Sequence, residues 1–437
     1  MPTYPTGRQR RTPVAGVLFL LITSAAQVAA QEPARVLTLD QAIRLAVEAD
    51  PAAVAAEGAV ANARTDVLQA TGLWLPNLNL SSAYANSSNE RFDQATGQLV
   101  SQSYTAQLQG GYDIFTGGRR FMEVRSSNAD LAAADAQYAS QRYATTLNTT
   151  IAYYAAAAAT DIAAAAAQRL QRARAQLTAA QTRLELGTAT QSDVLRAELE
   201  VGNAESAQLD AEASLRTSTL ELGRRTGIAG QVRPAPATLP DSAPTLPTLE
   251  ALVQRATAQS PAVVAAEAVV RAREADRLST YTNYLPTIRL TGGYDWFAFS
   301  FPPQERSWNM RVTAVLPLFN NFNREANVQD ALVAERVAEA RARDAQIAAR
   351  VAVESAASEI ESAERRVAIA DRGVVLARED LRVQEERYGM GVATILDLQS
   401  SQISLSDAEV SAVRARQTLG TAVARLEAIL GQRLRED

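Results

Sequence analysis

The chain has 437 residues and a formal charge of −5; its 43 basic residues are all arginine, and it contains no cysteine, histidine or lysine. These absences exclude thiol and imidazole catalysis, Schiff-base lysines, disulfides and His/Cys metal centres. Carboxylates, hydroxyls and arginine remain, but nothing frames a carboxylate pair in a pocket as a hydrolase needs, so no enzyme, cofactor or metal is expected.

In chain order, the first feature is an N-terminal leader: Arg8, Arg10 and Arg11, an apolar run from Val14 to Ile22, then small residues ending in Val28-Ala29-Ala30. Residues 1–30 read as a secretory signal peptide, with the mature chain starting near Gln31. The run is too short for a membrane span of about 20 residues. With no cysteine at the cleavage site, a lipoprotein anchor is excluded. Cleavage makes an acidic chain more acidic, a poor partner for nucleic acid. No later stretch has the uncharged apolar length of a transmembrane helix, so a membrane would be met by strands.

An internal repeat organises the rest. Residues 38–84 align with 248–294 at an offset of 210, through Thr38/Thr248, Pro51/Pro261, Asp66/Asp276 and Tyr84/Tyr294. From Phe115/Phe319 onward the offset is 204, through Gly187/Gly391 and Asp193/Asp397. The expected organisation is a first repeat over 31–230, a proline-rich linker over 231–247 and a second repeat over 248–437. Each repeat opens with a short helix, for which Thr38 and Gln41 form a capping box. Asp50-Pro51 and Ser260-Pro261 then cap a second helix, which must stop before Leu75-Pro76 or Leu285-Pro286.

Beyond these prolines the hydrophobic period changes to two. Leu78, Leu80 and Tyr84, then Tyr104, Leu108 and Tyr112, alternate with polar residues; so do Leu290, Tyr294 and Trp296, then Trp308, Met310 and Val312. These patterns predict four strands with one apolar face. Tyr84, Tyr104, Tyr112, Tyr294, Trp296 and Trp308 on that face match the aromatic belt of an outer-membrane barrel embedded in the lipid bilayer. Four strands cannot close a barrel, so closure needs several copies. The six-residue change of offset places a variable loop at "ANSSNERFDQATGQLVSQS", with a counterpart at "AFSFPPQERS".

From about Arg119 to Leu186, and from about Arg324 to Met390, no proline interrupts a helical pattern, which predicts helices roughly 100 Å long. Their 3-4 alternation, as in Val353, Ala356, Ile360, Ala363 and Val367, indicates coiled-coil packing with alanine at every other seam position. Each long helix ends at a matching turn, "LGTATQSDVL" or "MGVATILDLQ". Gly187 and Gly391 stand where positive φ is needed, and Thr190/Asp193 and Thr394/Asp397 have capping-box spacing.

The order of these elements, duplicated behind a leader, resembles the TolC-type outer-membrane efflux protein family over nearly all the mature chain. The features that carry it are "TLDQAIRLAVEADP" and "TLEALVQRATAQSP", "LPNLNL" and "LPTIRL", "DIFTGGRR" and "PLFNNFNR", and the two turns. The resemblance implies an α+β membrane protein: four β-strands per chain contribute to a trimeric 12-stranded outer-membrane barrel, continued by a long coiled-coil-like α-helical barrel through the periplasm. It implies a homotrimer acting as a passive channel-tunnel, joined through a periplasmic adaptor to an inner-membrane transporter of RND, ABC or MFS type. The short helices and residues 223–247 would form a belt round the tunnel, and the variable loops would face outside. The turns would lie at the periplasmic aperture, with Asp397, Tyr388, Asp193 and Ser400 as gate residues and Gly187, Thr188, Gly391 and Val392 as adaptor-docking tips. Two departures stand out: Ala393 and Ser400 occupy positions where the best-known member has an arginine and a second acidic residue. The competing reading is a structural coiled-coil protein of the cell envelope without transport activity, which leaves the amphipathic strands without a use.

Overall fold

The computed structural model describes residues 35–93, 97–236, 239–303 and 305–434. The expected leader and its cleavage site lie outside the described residues. Helix α1 (Leu39–Ala49) starts as its sequence dictates: the Thr38 hydroxyl accepts from the Gln41 N–H, and the Gln41 side chain accepts from the Thr38 N–H at 3.1 Å. Asp50 then accepts from the Ala52 N–H at 3.3 Å and, with Pro51 at the first position, opens α2 (Pro51–Gly72). The second half repeats this with α5 (Leu249–Gln259), capped by Thr248, and α6 (Pro261–Thr280), which ends in a 3₁₀ turn before Pro286. Ser260 corrects the expectation for α6. It occupies the cap position but its side chain makes no capping hydrogen bond, so only its backbone and Pro261 set the start.

Strands β2 (Asn77–Asp93), β3 (Gln98–Phe115), β5 (Thr287–Ala298) and β6 (Glu305–Val315) form one antiparallel sheet in the order β2-β3-β5-β6. The stretch from Ala85 to Ser103, expected as a loop, is mostly strand: β2 and β3 stay paired out to Asp93↔Gln98, with a register shift between Asn86 and Arg91. Its residues are polar, but cross-strand pairing satisfies backbone groups whatever the side chains, and composition alone does not reveal that. A short parallel pair, β1 (Arg35–Leu37) with β4 (Val232–Pro234), ties the start of the first half to the proline-rich linker. Three-residue strands in such a linker carry no pattern to read.

Helices α3 (Arg119–Glu185) and α7 (Asn323–Gly389) have 67 residues each, about 100 Å at 1.5 Å per residue. Each turns back into a shorter helix, α4 (Gln191–Arg225) or α8 (Ile395–Leu430). Along α3 the sheet-end half packs on α2, where the Thr145 hydroxyl donates to Asp50, and the far half packs on α4, where Arg169 donates to Glu200 at 2.8 Å. The seam follows the alternation in sequence, with Val353, Ala356, Ile360, Ala363 and Val367 buried.

The largest core lies midway along the long helices, where α5 and the start of α6 cover α7 and α8 through Leu252, Val263, Ile360, Leu419 and Leu426. A matching cluster under α1 contains Leu37, Tyr153, Leu222 and Val232. Tyr153 donates its hydroxyl to the Leu37 carbonyl at 3.0 Å and accepts from the Ala235 N–H at 3.1 Å, so β1 and the linker are bound to one buried phenol. Alanine seams let helices approach closely: a Cβ at Gly420 of α8 would sit 2.8 Å from the Tyr154 ring of α3.

Candidate functional site

Two regions carry the features that sequence marks as functional: the sheet and the far ends of the helical hairpins. In the sheet, register decides which side chains share a face. Tyr84 pairs with Tyr104, Leu108 with Tyr294 and Tyr294 with Trp308, while Trp296 opposes Ala106 and Tyr112 opposes Leu290. All six belt aromatics therefore lie on one face, with Tyr84–Tyr104 ring centroids at 5.0 Å and Tyr294–Trp296 at 4.7 Å. Leu78, Leu80, Trp308 and Met310 on this face are each more than two-thirds exposed, so among the described residues nothing covers these side chains. The opposite face carries rows such as Ser81–Gln107–Asp295–Ser307, with Asn309 donating to Asp295 at 3.1 Å and Arg289 facing Asp113 at 3.6 Å.

Below the sheet, two arginines 204 positions apart hold the strand-to-helix turns. Arg120, buried, stacks over Tyr112 at 4.8 Å and Trp74 at 5.4 Å and donates to the Asp113 carbonyl. Arg324 stacks over Tyr284 at 4.7 Å and donates to the Pro317 carbonyl at 2.8 Å. The guanidinium satisfies carbonyls that a turn leaves unpaired while its flat faces pack on rings.

At the hairpin ends both turns have the same construction. After α3, the Gly187 N–H donates to the Leu184 carbonyl and the Thr188 N–H to the Arg183 carbonyl; after α7, Gly391 and Val392 donate to Tyr388 and Arg387. This is a Schellman ending, and its left-handed residues are Gly187 at φ 75° and Gly391 at φ 77°. Thr190 and Thr394 then open α4 and α8: each donates its N–H and its hydroxyl to the carboxylate of Asp193 or Asp397, and each hydroxyl accepts from that aspartate's N–H at 3.2 Å. These hydrogen bonds stabilise the ionised form. They hold the Asp193 carboxyl, chiefly through the Thr190 N–H, and the Asp397 carboxyl, chiefly through the Thr394 hydroxyl, below the usual aspartate value. Both side chains are therefore caps and fixed negative charges at once.

The two tips touch each other within the chain. Arg183, one turn before Gly187, lies over the Tyr388 ring at 4.3 Å and donates to the carbonyls of Tyr388 at 2.8 Å and Gly389 at 3.3 Å. It thereby terminates α7 from the neighbouring hairpin. Tyr388 also packs with Ala180, Val194, Ala197 and Ile395 in a small cluster, and Gln399 donates to the Arg196 carbonyl at 3.1 Å. Gly187, Thr188, Gly391, Val392, Asp397 and Ser400 are exposed, whereas Ser401, next along from Ser400, is buried and donates to Asp380. Sequence reading missed Arg183 and Gln399; it placed Ser401 on the helical seam, where it is buried, but not its hydrogen bond to Asp380. A basic residue in the last turn of a helix was a visible cue for Arg183, but its partner lies 205 residues away. Among the described residues no group of acidic side chains is arranged to hold a metal ion, and no helix is long and apolar enough to cross a membrane.

Comparisons with known proteins agree over most of the chain. The family model described as outer membrane efflux protein matches residues 42–227 and 252–432. The chain is 26% identical over 340 residues to the nickel-cobalt-cadmium resistance protein NccC of Alcaligenes xylosoxydans xylosoxydans, covering 76% of this chain and 71% of that one. Its fold is similar to that of the outer membrane protein VceC of Vibrio cholerae, with a TM-score of 0.72, 19% identity and coverage of 91% and 97% of the two chains. It is also similar to the MtrE outer membrane channel of Neisseria gonorrhoeae, with a TM-score of 0.75, 20% identity and coverage of 91% and 90%. With both halves matched by the family model and the sheet continuing into long helical hairpins, the chain belongs to the outer membrane efflux protein family.

Proposed function

We propose that three copies of this chain form a passive duct through the outer membrane and periplasm, receiving cargo from an inner-membrane transporter through a periplasmic adaptor. The sheet carries this reading. Its aromatic face suits lipid, its opposite face suits water, and among the described residues edge strands β2 and β6 each pair on one side only. Strand direction alternates across the four, so β6 of one copy meets β2 of the next antiparallel. Repeating that contact three times closes twelve strands and leaves no edge in the bilayer, where an unpaired backbone group costs several kcal/mol.

Exposed apolar side chains such as Leu195, Leu199 and Leu209 on α4, and Ile369 and Leu376 on α7, then become the contacts between neighbouring copies of the tunnel. Residues 31–230 and 248–437 act as two equivalent wall segments per chain, joined by the 231–247 linker. In this assembly the hairpin tips form the periplasmic aperture. Asp193 and Asp397 from each chain ring it with negative charge, which favours cations, while exposed Gly187, Thr188, Gly391 and Val392 meet the adaptor. The tie between tips is made inside one chain by Arg183 on Tyr388, so Ala393 need not supply an arginine.

The protein should fractionate with the outer membrane and run as a detergent-stable trimer that forms ion channels in planar bilayers; a soluble monomer defeats the proposal. Replacing Asp397 with alanine should weaken blockade of those channels by multivalent cations. Unchanged blockade would leave the residue only its capping role.

A further inference from the structure

On the water-facing side of the sheet, Ala83–Thr105–Phe297–Glu305 is the last row paired across all four strands, with only β2 and β3 paired beyond it, and the two rows before it, Asn79–Gln109–Gly293–Asn309 and Ser81–Gln107–Asp295–Ser307, carry no large apolar side chain. Phe297 breaks the pattern. It shares a face with Asp295 two residues earlier and lies opposite Glu305 on β6. Phe299, just past the end of β5, packs edge-on against it with ring centroids at 5.0 Å and an interplanar angle of 82°. The arginines of that face, Arg289 and Arg311, stand in rows nearer the helices, opposite Asp113 and Thr291. This last four-strand row therefore sets an aromatic ring beside a carboxylate, and none of its four residues is a cation.

We propose that Phe297 and Phe299, with their copies in the trimer, form an aromatic constriction at the outer mouth that binds apolar organic cations on their way out, with Glu305 supplying charge. The inference rests on the duct reading above. Twelve strands about 4.8 Å apart and tilted about 40° enclose a backbone ring roughly 24 Å across. Three such Phe297–Phe299 pairs narrow that bore and replace water-lined wall with π faces. Such faces attract a cation whose charge is poorly hydrated, because little solvation is lost on contact. A strongly hydrated inorganic ion gains nothing comparable there.

The test is blockade of single trimers in planar bilayers by tetraphenylphosphonium added on the side of the strand hairpins. The double variant Phe297→Ala/Phe299→Ala should raise the half-blocking concentration about tenfold or more, as expected for losing a desolvated cation–π contact. Glu305→Gln should raise it by a smaller factor, and Trp308→Ala, on the lipid face, should leave it unchanged. Phe299 lies beyond the strand, so Phe299→Ala alone gives the same reading if the double variant does not assemble. Wild-type channels that conduct but are not blocked, or are blocked equally in the variants, overturn the aromatic constriction and leave the duct standing. Failure of the wild-type protein to form conducting trimers overturns the duct, and this inference with it.

Discussion

Arg183 shows how one side chain joins two distant parts of the molecule. Its guanidinium donates to two carbonyls at the end of α7 and covers the Tyr388 ring. Arg183→Leu removes these contacts at a partly exposed site and should cost about 1–2 kcal/mol of local stability. Faster amide exchange in Gly389–Val392, with α4 unaffected, is the expected signature; unchanged exchange would show that the small apolar cluster alone holds the tips. The capping aspartates make a prediction in pH. Their carboxyls titrate below the ordinary aspartate value of 3.8 because Thr190 and Thr394 donate to the ionised form. A lowered folded-state value stabilises the fold above the unfolded value, and the benefit is lost as pH falls through the folded value. Amide protection at residues 190–194 and 394–398 should therefore hold through mild acid and decline only below about pH 3.8, and Thr394→Ala, which removes the hydroxyl but keeps the backbone N–H, should weaken that dependence in α8.

Among the elements, the alanine-rich seams exchange core thickness for close approach. Buried alanines contribute little apolar area each, but a helix of 67 residues repeats the contact along its length. The cost appears where backbones are nearest. At Gly420 a Cβ would sit 2.8 Å from Tyr154 and 3.1 Å from Pro240. Gly420→Val should therefore destabilise the α3–α8 contact by about 1–3 kcal/mol through overpacking, read as a lower melting temperature of the assembled protein. Substitution at Gly58 of α2, which has nothing within 4 Å of the added carbon and lies outside the proposed contacts between copies, is the matching control. Arg120 and Arg324 act at the same scale, because each pins the turn that passes the chain from sheet to long helix.

For the whole molecule, the decisive property is that the sheet is unfinished in one chain. Val312 is 59% exposed on the aromatic face, while its neighbour Thr313 lies on the polar one. Within a membrane barrel, Val312→Arg places a charge in hydrocarbon and should cost about 2–4 kcal/mol if near the bilayer midplane. Trimer recovered from the outer membrane should fall accordingly. Thr313→Arg should assemble normally, because on the duct reading that face meets water. Equal loss from both would mean that the two faces do not meet different solvents.

Much of this fold was legible in sequence because its signals are local and repeated. Period-two alternation from Leu78 to Tyr84, the 3-4 alternation through Val353 and Ile360, the Thr190 and Thr394 caps and the left-handed Gly187 and Gly391 all follow from backbone sterics and short-range hydrogen bonding. What tertiary structure alone decided depends on which distant groups are brought together. Cross-strand register turned the polar Ala85–Ser103 stretch into hairpin, gathered six aromatics on one face and set Phe297 opposite Glu305. Packing of one hairpin on the other delivered Arg183 to Tyr388, and folding of the linker brought β4 beside β1. Sequence determined the elements and their ends, since each is fixed within a few residues; only the folded chain decided their partners, since those contacts join residues two hundred positions apart and more.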